Sequence, residues 1–202
     1  MNDDEINRAI TNRDGLPPKF PTHAHDAHFW EQLGRAIASF GFLEDVLRKA
    51  IFAYTGTRRY PPDEVEDKMD KWKSLLERAM TAQLWALATE YEKAVKDHPD
   101  NSTENVGELV ATIKEAAVVR NVLCHGSWMM PDGEGKSVPR FTRKDRATGD
   151  LTVFDTKIDA EYLAQVQAHV TDLICSVIDT VTHMGWQFPG GAGPGKPIWT
   201  KE

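Results

Sequence analysis

Residues 118 to 128 read VVRNVLCHGSW, an apolar run interrupted by Arg120, Asn121 and His125. These are side-chain types that do chemistry. An imidazole gives or takes a proton near neutral pH, and a guanidinium grips oxyanions with a two-pronged fork. On a helix, Asn121 and His125 are four apart and stack on one face. Arg120 and His125 are five apart, about 140° around the axis. The long Arg120 side chain can still swing to the same rim. Gly126 lets the chain turn away and leaves His125 on the last turn, where the helix dipole attracts positive charge.

The segments that must position these residues are mostly helical by periodicity. Residues 26–55 repeat apolar positions at helical spacing through Trp30, Leu33, Ile37, Phe40, Leu47 and Ile51, with Gly56 as a stop. A second helix is expected over 63–96, carrying Met69, Trp72, Leu76, Leu84, Leu87 and Tyr91. A third is expected over 102–126, opened by a capping box of Asn101 and Glu104. Its stripe runs Val106, Val110, Ile113, Ala117, Arg120, Cys124, so Arg120 falls where an apolar residue is expected. The period then changes. SVPRFTRK and DLTVFDTK, joined by DRATG, alternate like two strands of a hairpin at about 136–157. Asp159 caps a last helix over 160–184, closed by Gly185. The pattern predicts an all-α fold, an antiparallel four-helix bundle with a β-hairpin inserted between the third and fourth long helices. A hairpin by itself is marginal in water, so it must pack on the bundle or on a partner chain.

Composition bounds the rest. The 202 residues suffice for one domain with a real core. Residues 1–23, broken by Pro17, Pro18 and Pro21, read as an extended arm, residues 24–186 as the bundle, and 187–202 as a Gly/Pro-rich tail. No apolar run approaches the ~20 residues of a membrane span, and the polar MNDDEINRAI does not read as a signal peptide. Cys124 and Cys175 lie in apolar helical context and are expected to be buried and reduced, which suggests a cytoplasmic protein. A net charge of −7 argues against nonspecific coating of nucleic acid and leaves room for a local RNA site.

An Arg followed by a polar residue, with a His four to six positions after the Arg near a helix end, resembles the signature of HEPN domains. Here it stands as Arg120-Asn121-Val-Leu-Cys-His125 before Gly126. The stretch WEQLGRAIASFGFLEDVLRKAI is also similar to the long first helix of bacterial HEPN-like proteins, with Glu44 as the acidic residue inside its apolar stripe. The resemblance covers roughly residues 26–185.

That resemblance implies a metal-independent endoribonuclease needing no cofactor, acting as a homodimer with facing motifs, and a toxin or defence effector with a neutralising protein partner. The ribose 2′-OH would attack the adjacent phosphate to give a 2′,3′-cyclic phosphate and a 5′-OH end. His125 would move the proton, Arg120 would hold the phosphate, Asn121 would orient either, and Glu44 would lend support. Each chain carries one such His, whereas the reaction needs a base and an acid, so two chains are expected to act together. The structural alternative is that Arg120 pairs with Glu44 across two helices and His125 only caps a helix end. The chain would then be a catalytically inactive HEPN-like dimer that binds protein or nucleotide.

Three other features carry weaker expectations. The hairpin holds Lys136, Arg140, Arg143, Lys144 and Arg146 against Asp145, with Phe141 to stack on a base. This is either an RNA-binding patch or a solvated edge whose charges discourage aggregation. HAHDAH, with His23, His25 and His28, has a partial metal-site spacing but reads first as surface residues. GGAGPGKP has Gly and Lys spaced as in a phosphate loop, yet Pro197 stands where a hydroxyl residue is required and no helix can follow. Cys124 and His125 are no nucleophile–base pair, because adjacent helical side chains diverge.

Overall fold

The computed structural model describes residues 10–144 and 148–190. The described residues hold five α-helices and one two-stranded antiparallel sheet: α1 Ala27–Gly56, α2 Val65–Thr81, α3 Leu84–Lys96, α4 Val106–His125, β1 Thr142–Lys144, β2 Leu151–Val153 and α5 Ala160–Thr182.

Helix α1 is the hub. Asp26 starts it by accepting a hydrogen bond from the Phe29 amide at 2.7 Å, satisfying one of the orphan N–H groups of the first turn. Leu33, Phe40, Leu43, Leu47, Ile51 and Tyr54 are buried along its length, and α5, α3, α2 and α4 all pack against it. Asp159 caps α5 in the same way, accepting from the Tyr162 amide at 2.8 Å.

Contacts at the two ends of α1 set the helix directions. Gln167 donates to Gln32 at 2.8 Å near the start of α1, and the Tyr54 hydroxyl donates to the Thr180 carbonyl at 2.7 Å near its end. Thus α5 runs parallel to α1. Helix α2 returns against α1, with the Trp72 indole N–H on Thr55 Oγ1 and Arg48 on the Ala79 carbonyl. Helix α3 turns again, from Ala82 beside Arg48 to Ala94 beside Arg58. Helix α4 runs back down, with Arg120 beside Glu44 and, just past its end, Trp128 against Phe29. The chain therefore reverses direction four times, and its most extensive helix pair, α1 with α5, is a parallel one.

Several expectations are corrected here. The single helix over 63–96 is two, because Ala82 and Gln83 are extended (ψ 145° and 163°). The Arg48 guanidinium takes the carbonyls of Ala79 and Ala82 at 3.1 and 3.3 Å, which satisfies acceptors that the end of α2 leaves open. The third helix begins at Val106, not 102. Asn101 uses its side-chain oxygen on the Thr103 amide at 2.9 Å, a local turn instead of a capping box. Asn105 is the N-cap and makes no side-chain cap bond. The stripe on α4 holds through Ala117, but Arg120 and Cys124 are only half-buried; the core passes to Ala116 and Leu123 instead. Cys175 is exposed, contrary to the burial expected of it, and both thiols are free. The described part of the arm, from residue 10, is not extended throughout: it holds a 3-10 turn at Arg13–Gly15, and the Trp30 indole N–H donates to the Thr22 carbonyl at 2.9 Å. No helix among the described residues is long and apolar enough to cross a membrane.

Candidate functional site

The end of α4 lies where α1 begins. His125 occupies the last turn of α4, exposed, and its side chain makes no hydrogen bond or ion pair among the described residues. The Gly126 amide closes that turn on the Val122 carbonyl at 2.8 Å. Gly126 is required for space: a Cβ there would sit 2.6 Å from the Val122 oxygen and 2.8 Å from Pro139 Cβ. The chain leaving α4 then pairs immediately with the insert, since Ser127 and Arg140 exchange two backbone hydrogen bonds of 3.0 and 2.8 Å. Tertiary structure thus fixes Arg140 opposite a residue two places from His125.

Arg120 sits one turn up. Its Nη1 donates to Asn121 Oδ1 at 3.2 Å, and its Nη2 lies 3.9 Å from Glu44 Oε1. The first is a hydrogen bond; the second is an electrostatic contact too long to be one. Glu44 Oε1 is buried and makes no hydrogen bond. The other carboxylate oxygen accepts from Arg48 Nη2 at 3.4 Å. Glu44 therefore lies between two guanidiniums. Arg48 is the more firmly held of these, because it also grips the α2–α3 break. Side-chain exposure is 15% for Glu44 and 25% for Arg120, so Arg120 is neither sealed in the core nor free in solvent.

The expected site residues are brought together only in part. Arg120, Asn121 and Glu44 form one linked group, and His125, one turn on, makes no hydrogen bond to it; Asn121 accepts from Arg120 and makes none with His125. Arg140, Arg143 and Lys144 are exposed on the insert, with Arg143 opposite Thr152 and Lys144 opposite Leu151. Arg146 and Asp145 lie outside the described residues, as does the tail from 191. Arg48 was missed in the sequence, although its spacing of four from Glu44 on one helix is a readable ion-pair signal.

Nearby features resolve toward structure. His25 Nε2 bonds the Met129 carbonyl at 2.9 Å, and its ring stacks on Phe29 with centroids 4.0 Å apart. It thereby ties the start of α1 to the segment after α4. No three His, Cys, Asp or Glu side chains among the described residues gather into a metal-holding group. Beyond the other end of α1, Arg58 donates to the Ala94 carbonyl at 3.2 Å. In the loop before the hairpin, Asp132 accepts from Lys157 at 2.7 Å and from the Lys136 and Glu134 amides, which holds its carboxyl down at about 2. An open cleft of about 720 Å³ lies at the opposite end of the bundle, lined by Ser102, Glu104, Glu108, Ser176, Asp179 and His183. It is remote from Arg120 and His125, and its carboxylates would repel a phosphate.

No protein-family model matches the chain, and neither the curated proteins nor the solved structures yield a match.

Proposed function

We propose that the chain is a HEPN-type, metal-independent endoribonuclease working as a homodimer. The observation that carries this is the contrast at the end of α4. His125 is exposed and uncommitted, while Arg120, one turn earlier, keeps a quarter of its side chain open and is steadied by Asn121 and Glu44. An uncommitted imidazole near a partly open guanidinium suits proton transfer beside a phosphate.

In the reaction, one imidazole takes the proton of a ribose 2′-OH, whose oxygen attacks the adjacent phosphorus. The P–O5′ bond breaks, and a second imidazole gives the leaving 5′-oxygen its proton. The products are a 2′,3′-cyclic phosphate and a 5′-OH. One chain has one His125, so the second proton carrier is the second copy's His125. Arg120 neutralises charge that builds on the phosphate oxygens. In this reading the exposed Arg140, Arg143 and Lys144 attract the strand, and the reaction takes place in the cytoplasm, where RNA is found. A toxin or defence role with a neutralising protein would accompany such an activity.

The test is cleavage of a mixed RNA pool by the purified chain in EDTA, with product ends determined. His125→Ala should lower the rate by at least about 100-fold, and its expression should relieve any growth inhibition. Parental cleavage by that variant would reject the assignment. A second reading is favoured by one observation, the flanking of Glu44 by Arg48 and Arg120. In that reading the charges hold α1, α4 and the α2–α3 break together, and the chain is an inactive HEPN-like binding module. Absence of cleavage with every RNA tried, together with a stability loss in Arg120→Ala, would favour it.

A further inference from the structure

Glu44 carries one negative charge, faces two guanidiniums and closes on neither. Arg48 Nη2 lies 3.4 Å from Oε2, and Arg120 Nη2 lies 3.9 Å from Oε1. A closed guanidinium–carboxylate pair sits at about 2.7–2.9 Å. Oε1 is buried and accepts no hydrogen bond, and a buried acceptor left unmade costs free energy. Something therefore holds the pair with Arg120 open. Arg48 is itself pinned to the α2–α3 break, because its Nε donates to the Ala79 carbonyl at 3.1 Å and its Nη2 also to the Ala82 carbonyl at 3.3 Å. From that fixed place it draws the carboxylate one turn before it on α1. Arg120 differs. Among the described residues it hydrogen-bonds Asn121 Oδ1 alone, at 3.2 Å, and a quarter of its side chain is open.

A carboxylate and a phosphate ask the same thing of a guanidinium: two parallel N–H donors. Were Glu44 to face Arg120 alone, attraction in a half-buried place would close that pair, and a phosphate would have to displace it. Arg48 pulls on the other oxygen of the same carboxylate and offsets this. The divided carboxylate keeps Arg120 in place without filling its fork.

We propose that Arg48 is a positioning residue for Arg120, acting through Glu44: it draws the shared carboxylate away and leaves the Arg120 fork open to an RNA phosphate. The proposal rests on the nuclease reading for the identity of that ligand. Glu44 is then an internal competitor of the substrate phosphate, and Arg48 sets how strongly it competes without touching RNA.

The experiment is binding of a fluorescent 2′-O-methyl oligoribonucleotide, which has no 2′-OH to attack, by the full chain and its variants, with circular dichroism to check folding. Arg48→Met should weaken binding about 10-fold, the worth of closing one charge-assisted hydrogen bond. Adding Glu44→Gln to it should restore binding to within about 3-fold of wild type. Glu44→Gln by itself should tighten binding by about 3-fold. In an Arg120→Gln background, neither change should matter. An equal loss there on Arg48→Met would mean that Arg48 meets the RNA itself or acts only through net charge, and overturns the proposal. So does an Arg48→Met variant that binds as wild type does, or a wild-type chain that does not bind the probe. Arg48→Met also strips the Ala79 and Ala82 carbonyls of their donor. If it fails to fold, Glu44→Gln decides, because Arg48 keeps both carbonyls there: weaker binding overturns the proposal, and tighter binding that vanishes in the Arg120→Gln background upholds it. The expected pattern in a chain that cleaves no RNA upholds Arg48 as the positioning residue and removes the nuclease reading. Cleavage that His125→Ala abolishes, with binding indifferent to Arg48, does the reverse.

Discussion

Glu44→Ala should destabilise the chain by about 1–3 kcal/mol. The carboxylate stands 3.4 Å from Arg48 and 3.9 Å from Arg120. At an effective dielectric near 20, those separations give gross attractions of about 5 and 4 kcal/mol. Withdrawing three charges from water offsets most of this. What decides the outcome is what the truncation leaves behind. Arg48 keeps the carbonyls of Ala79 and Ala82. Arg120 keeps only Asn121 and its quarter exposure, and the two guanidiniums then face each other with no anion between them. In a protein of this size each kcal/mol moves the melting temperature by about 2–4 °C. The assay is urea unfolding with an unchanged slope, complemented by double-mutant cycles. The cycle of Glu44 with Arg48, which share a hydrogen bond, should give the larger coupling. That of Glu44 with Arg120 should be the weaker, at about 0.5 kcal/mol, because 3.9 Å is too long for one. A Glu44→Ala variant within about 0.5 kcal/mol of wild type, or couplings in the reverse order, would refute this reasoning.

Other outcomes follow from the same geometry. His125→Ala, which removes an exposed ring with no hydrogen-bond partner among the described residues, should change unfolding free energy by less than about 0.5 kcal/mol, so its effect on RNA cleavage is readable without a folding correction. Gly126→Ala should destabilise by about 1–3 kcal/mol in a thermal melt, since its methyl group meets the Val122 oxygen and Pro139. His98 is 4% exposed and its Nδ1 accepts from the Asp100 amide at 3.1 Å. Burial lowers its pKa, Asp100 works against this, and Arg58 adds to it. The native state therefore binds its proton less readily than the unfolded chain. Stability contributed by neutral His98 is full above the unfolded value of about 6.5 and is lost as pH falls through it toward the lower native value. Melts between about pH 7.5 and 5.5 should show this fall in wild type and a flatter profile in His98→Asn, whose amide oxygen can still accept from Asp100. Tyr54→Phe should lower stability by about 1–2 kcal/mol, because the buried Thr180 carbonyl loses the hydroxyl that donates to it at 2.7 Å.

The helical elements were legible because their apolar residues recur at the helical period and must face a core in any arrangement. Asp159 and Gly126 marked boundaries by local chemistry, and local chemistry survives folding. The break at Ala82–Gln83 was also present as a phase slip. At 100° per residue, the apolar positions of α3 lie about a quarter turn from those of α2, so one straight helix could not bury both. The placement of Arg120, Asn121 and His125 near a helix end was readable, as was their mixture of charge and apolar context. Which of them touch was not readable. That Glu44 meets Arg120 as well as Arg48, and that Arg140 lies opposite Ser127, depend on contacts between residues 76 and 13 positions apart. A sequence period fixes which side of a helix is apolar, but not which neighbour that side meets or how the helix is directed. Only the packing of α1 against four others decided those things, including the parallel course of α1 and α5 and the exposure of all six residues of β1 and β2.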